Sequence, residues 1–137
     1  MAAYKGQGGS ATWNDLGIDN IKSWSMEWPT VNTFDWAVKG DEVATVEIGT
    51  ASYGTATIVA VFDYADADGQ KILVDFLDAA SLATHAADDL DLYVESTHYL
   101  AQNAILTGAA ITSPEGDAMT EITFNFRISG DTVMTGW

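Results

Sequence analysis

Glu121-Ile-Thr-Phe-Asn-Phe-Arg-Ile128 decides the fold class of this chain. Ile122, Phe124, Phe126 and Ile128 alternate with Glu121, Thr123, Asn125 and Arg127. A period of two puts the first set on one face of a pleated strand and the second on the other, so the segment reads as a strand with one face in a core. Just upstream, Ser113-Pro-Glu-Gly-Asp117 combines proline, glycine and acidic turn formers. Together with the long, small-residue-rich run at 99–112 it predicts a hairpin, with a kink expected at Gly108.

The same alternation recurs outward from this pair. Leu90, Leu92 and Val94 oppose Asp89, Asp91, Tyr93 and Glu95, and Trp24, Met26 and Trp28 oppose Ser23, Ser25 and Glu27. Pro29, which has no N–H for a ladder, ends the latter strand. Residues 31–37 read as a return strand with Phe34 and Trp36 on one face, Lys39-Gly40-Asp41 as a turn, and 43–48 as a further strand. Residues 49–54 read as a small-residue loop. The β-branched run at 55–63 is apolar on both sides, as a central strand requires. One helix is expected at 66–82: Asp66 is placed as N-cap, and Ile72, Leu73, Phe76, Leu77 and Ala80 form one apolar stripe. Residues 1–12 read as a flexible glycine-bearing arm, 13–20 as a loop, 30–55 as a long loop or hairpin region and 133–137 as a C-terminal tail. The whole is one mainly β (α+β) domain: an antiparallel sandwich or open barrel with one packed helix.

Composition narrows the function. The chain has 137 residues, 47% of them apolar, enough for a core in a single domain. It carries 20 acidic residues against 5 basic ones, a formal charge of -15. Binding through phosphates needs clustered Lys and Arg to displace counterions, and Lys5, Lys22, Lys39, Lys71 and Arg127 are scattered, so the chain is expected to repel polyanions. Cysteine is absent, which excludes disulfides and thiolate metal sites. The N-terminal residues lack the apolar run of a signal peptide, and the longest apolar stretch, 58–62, is too short for a membrane span. A soluble protein made in a cytoplasm, without membrane association, is the expectation.

Catalytic and metal chemistry find little purchase. Asp88, Asp89 and Asp91 crowd together, but on the polar side of an alternating strand, where a solvated face accounts for them. Asp66-Ala-Asp-Gly69 resembles part of a calcium loop, yet the register puts Tyr64 at its first position and Asp75 at its last; helix capping explains these residues without a metal. His85 and His98 form no paired ligand motif, no GxSxG elbow is present, and Gly6-Gln-Gly-Gly9 is flanked by no strand–turn–helix. No catalytic residue, metal or cofactor is expected. The tryptophans are the more informative oddity. Trp24, Trp28 and Trp36 fall in one segment, open to three readings: core packing, a subunit interface, or stacking on sugars in a lectin-like module.

Four ordered features resemble the tail tube (major tail) proteins of long-tailed bacteriophages. They are the strand Ile21-Lys-Ser-Trp-Ser-Met-Glu-Trp28 after a glycine-bearing start; the aromatic and polar stretch at 30–39; Val61-Phe-Asp-Tyr64 leading directly into the helix; and the closing Ile122-Thr-Phe-Asn-Phe-Arg-Ile-Ser-Gly130. The helix lacks the proline often found near its start in that family. The resemblance implies a structural virion protein that self-assembles as a homohexamer. Its rings stack into a tube, six sheets join into one barrel around the lumen, and DNA passes through during ejection. It also implies partners in the tape measure, tail terminator and baseplate, with genome DNA in transit but not specifically bound. On that reading Glu47, Glu95 and Glu121 face the lumen, and Trp28, Phe34, Trp36, Lys39 and Trp137, with the N-terminal arm and residues 134–137, lie at subunit or ring interfaces. Two alternatives stand beside it: a tail-terminator or secretion-tube-like ring protein, and a Trp-rich β-sandwich carbohydrate-binding module.

Overall fold

A computed structural model of the chain describes residues 10–40, 43, 45–62, 65, 69–95, 97–116 and 119–136. Its elements, in chain order, are β1 (Ser10–Trp13), β2 (Leu16–Gly17), β3 (Ile21–Glu27), β4 (Thr30–Trp36), β5 (Thr45–Ser52) and β6 (Thr55–Val61). There follow α1 (Gln70–Asp75), α2 (Ala79–Thr84), β7 (Asp88–Glu95), β8 (His98–Thr112), β9 (Glu121–Ile128) and β10 (Val133–Thr135). All strand pairs are antiparallel. One sheet runs β2-β1-β7-β8-β9-β6-β3, with β10 on the far side of β8; β4 and β5 pair only with each other.

The alternation at 121–128 is realised as read. Ile122, Phe124, Phe126 and Ile128 are buried, and the first three meet Ala56, Ile58 and Ala60 of β6 and Leu90 and Leu92 of β7 in one cluster. β6 lies between β9 and β3, the central position that its sequence requires. The large sheet curls on itself: β1 approaches β3, and the Trp24 indole donates to the Tyr93 carbonyl at 3.1 Å across the gap. The result is an open barrel with the apolar face inside. α1 seals it, with Leu73 buried and Gln70 Nε2 donating to the carbonyls of Asp19 and Val61, each at 2.9 Å. The kink expected at Gly108 is a register shift between Leu106 and Gly108.

Four expectations are corrected. The single helix at 66–82 is two short helices. Asp78 takes an extended conformation and accepts from the Ser81 N–H at 2.9 Å, capping a new helix where the continuous one would have run. A carboxylate that can bond the backbone three residues on competes with helix continuation. The capping role assigned to Asp66 lies outside the described residues. Residues 10–12 of the expected arm, and the first residues of the expected loop, form β1 and β2 instead. Asn14 and Asp15 both have positive φ, 51° and 62°, the geometry of the two-residue hairpin turn, and Trp13 packs inward against Phe126 with ring centroids 5.3 Å apart. β5 continues to Ser52, through most of the expected loop at 49–54. In the expected tail, residues 133–135 are β10, paired with residues 99–101 of β8.

Candidate subunit-assembly surface

Between the end of β3 and the start of β6 the chain leaves the barrel as the β4–β5 hairpin. Thr30, Val31, Thr33, Phe34 and Trp36 on one strand and Thr45, Val46 and Ile48 on the other are good strand formers, so the local sequence favours extended backbone. Gly40, with φ of 99°, lies in the connection. Gly54 sets the base: a Cβ there would lie 1.7 Å from the Glu27 carbonyl oxygen, so the two limbs pass each other closely only because position 54 has no side chain.

The pairing register fixes the two faces of the hairpin. Phe34 opposes Glu47 and Trp36 opposes Thr45, so these four share a face; Thr33 opposes Ile48 and Asp35 opposes Val46 on the other. Every residue of β4 is exposed, with Phe34 at 55%, and on β5 Val46 stands at 60% and Ile48 at 75%. Neither strand contributes to the core. A two-stranded ribbon is marginal by itself in water, and this one is apolar and bare on both faces. Trp28, Val38, Val43 and Tyr53 beside it are exposed as well, and clustered exposed apolar side chains mark protein-binding surfaces. Within the hairpin the Trp36 indole donates to Glu47 Oε1 at 3.0 Å.

Two strand borders of the barrel add to this surface. Among the described residues, β3 has β6 on one side and no paired strand on the other. β8 is paired with β7 up to Ala104, so over residues 105–112 it has β9 on one side and no described strand on the other, with His85 Nε2 meeting the Leu106 carbonyl at 2.9 Å. Strand borders of this kind are templates for pairing with another chain.

The residues singled out from sequence fall in several places. Trp28, Phe34, Trp36 and Lys39 sit together on or beside the hairpin and are exposed; Trp137 lies outside the described residues. Trp13 is buried and Trp24 half-buried, so the core reading applies to these two. The three glutamates are not brought together. Glu47 is on the hairpin, Glu121 opens β9 and pairs with Lys22 at 2.5 Å, and Glu95 ends β7, where it contacts His98 Nδ1 and accepts from Thr97 Oγ1 at 2.9 Å. The outer face of β7 also carries Asp89 and Asp91. Burial pushes the Asp91 carboxyl above its ordinary range, the Thr12 hydroxyl donating at 3.4 Å opposes that push, and Asp15 and Asp89 add to it. Among the described residues, no group of three or more His, Cys, Asp or Glu is arranged to hold a metal ion, and no helix is long and apolar enough to cross a membrane.

No protein-family model matches the sequence, and no curated protein matches it. Solved structures do match, over nearly the whole chain. The sheath/tube terminator of the PVC extracellular contractile injection system, in its extended state, superposes with a TM-score of 0.77 at 9% identity, covering 99% of this chain and 99% of that one. The tube-terminating cap of the anti-feeding prophage gives 0.74 at 10% identity, covering 98% of this chain and 92% of that one. The tail of an empty gene transfer agent particle, determined with C6 symmetry, gives 0.71 at 12% identity, covering 98% of this chain and 100% of that one. At these identities the likeness is one of fold.

Proposed function

We propose that this chain, whose fold is that of phage-type tail tubes and their terminators, is a structural tube subunit that works by self-assembly. The observation that carries this reading is the β4–β5 hairpin, apolar on both faces and covered on neither. Its side chains need a neighbour, and a tube built from copies of one chain supplies it at every position. Six copies make a ring, joined where the open border of β3 and the unpaired half of β8 complete sheets between neighbours. Rings stack through the hairpin, with Trp28, Phe34, Trp36 and Lys39 in the contact, together with the N-terminal arm and residues 134–137, Trp137 included.

The bore is acidic. Glu47, Glu95 and Glu121 face it, joined by Asp89 and Asp91 on the same polar side of the sheet as Glu121. A lining of this sign repels phosphates, so DNA slides through during ejection without adhering. Ring-to-ring apolar and backbone contacts offset the mutual repulsion of chains that each carry a formal charge of -15. The role needs no catalytic group, and the tube's ends meet a tape measure, a terminator and a baseplate in a virion tail.

A terminator ring is the second reading, favoured by the superposition on two terminators. Electron microscopy of the purified protein separates the two. A tube subunit gives long filaments of stacked hollow rings, and a terminator gives single rings. Protein that stays monomeric at high concentration contradicts both.

A further inference from the structure

The hairpin leaves the barrel at one pole, because β3 ends at Glu27 and β6 starts at Thr55, its partner in register. At the other end of the same strands lies a groove of about 510 Å³, lined by Val61, Thr112, Pro114 and Met119 with Lys22 and Glu121 beside them. Val61 pairs with Glu121, and Glu121 with Thr112, so the groove spans the starts of β3 and β9 and the ends of β6 and β8. Its mouth is apolar and open: Met119 is 68% exposed, and Ile111 next to Thr112 is exposed as well. The two features are therefore separated by the length of the strands, roughly 20 Å for seven residues.

We propose that this groove receives the β4–β5 hairpin of a second copy of the chain. The inference rests on the tube reading and specifies the receiving half of its stacking contact. Three observations select this occupant. The hairpin supplies Phe34, Val46 and Ile48, all exposed, and the groove supplies apolar walls. Methionine, unbranched and polarizable, adapts to such an insert. The charges are complementary too. Lys22 stands half-exposed at the rim, where one of its three donors meets Glu121, and the hairpin carries Asp35 on the face of Val46 and Ile48. Finally, a donor at one pole and an acceptor at the other make a head-to-tail contact. Stacked end to end, such a contact repeats along an axis. A twofold pair formed hairpin against hairpin would leave the groove empty.

The absence of cysteine makes the test clean. Met119→Cys is prepared in one batch, and Phe34→Cys, Trp36→Cys and Ile48→Cys in others. All four positions are exposed, and circular dichroism melts confirm that each variant folds. Batches are mixed under assembly conditions and treated with a short bismaleimide. Cross-linked dimers are expected in mixtures of Met119→Cys with a hairpin variant, and to exceed those in either batch alone by about tenfold or more, the ratio that 1.4 kcal/mol of preference gives. Filaments without those mixed cross-links, or with hairpin-to-hairpin products alone, overturn the groove assignment and leave the tube reading standing. Folded parent protein that forms no filaments, together with folded variants that give no cross-links, overturns both.

Discussion

Replacing Val46 and Ile48 together by serine should disable assembly while leaving the subunit folded. Both side chains lie on one face of the hairpin, opposite Asp35 and Thr33, and they are 60% and 75% exposed, so the barrel does not depend on them. Full burial of such a side chain yields about 1.5–3 kcal/mol. Scaling the lower figure by the exposed fractions gives about 2 kcal/mol of lost contact for the pair, since serine still buries its β-carbon. At 1.4 kcal/mol per tenfold, the critical concentration for filaments should rise about 30-fold. Sedimentation of filaments across a concentration series reads that number, and a denaturant melt of the unassembled variant checks that its midpoint matches the parent. A critical concentration within twofold of the parent's would refute the assignment of this face to a subunit contact. So would loss of assembly only in step with loss of the folded subunit.

Four further outcomes follow from the same structure. Phe124→Ala removes a fully buried ring at the centre of the core and should cost about 3–5 kcal/mol in urea unfolding; a loss under about 1 kcal/mol would contradict the placement of the core. Gly54→Ala drives a Cβ into the Glu27 carbonyl, so the base of the hairpin has to move. A loss of about 1–3 kcal/mol and impaired assembly are expected, and an unchanged melt with normal filaments would count against the crossing. Asp91→Asn concerns a carboxyl that burial holds above its ordinary value of 3.8. The folded state thus binds this proton more tightly than the unfolded chain, and the parent gains stability as pH falls through the folded pKa, fully so below the unfolded one. The variant should be slightly more stable than the parent near neutral pH, an advantage that fades in acid; an advantage that grows in acid would reverse the sign assigned here. Glu95→Lys should leave filaments intact and slow DNA release from assembled particles, and normal tails with unchanged ejection would remove Glu95 from the bore.

Much of the barrel was legible in the sequence because its strands are bare on one face. β7 and β9 alternate cleanly, and the pattern gave their extent to within a residue and their buried side; in β3 Trp24 and Met26 are half-buried as read, but Trp28 lies past the strand's end and is exposed. Where the reading failed, local chemistry had competed with the pattern. Asp78 falls inside the single helix expected at 66–82, yet its carboxylate can accept from the N–H of Ser81 three residues on, and capping prevailed. Asn14-Asp15 was read as a loop because the flanking strands are short; the left-handed preference of these two residues was the available signal. The hairpin was found, with Phe34 and Trp36 on one side as expected, but its exposure was not, since alternation alone cannot distinguish a face turned to the core from one turned to a neighbour. The groove at the opposite pole had no signal at all. Lys22, Val61, Thr112, Pro114, Met119 and Glu121 are far apart in the chain and meet only through strand register.

Cryo-electron microscopy of the purified protein at assembly concentration tests the central claim most directly. Hollow stacked rings with sixfold symmetry are expected, with the β4–β5 hairpin of each subunit buried against neighbouring copies. Uniform single-chain particles, the hairpin still bare and the borders of β3 and β8 unpaired, would contradict it.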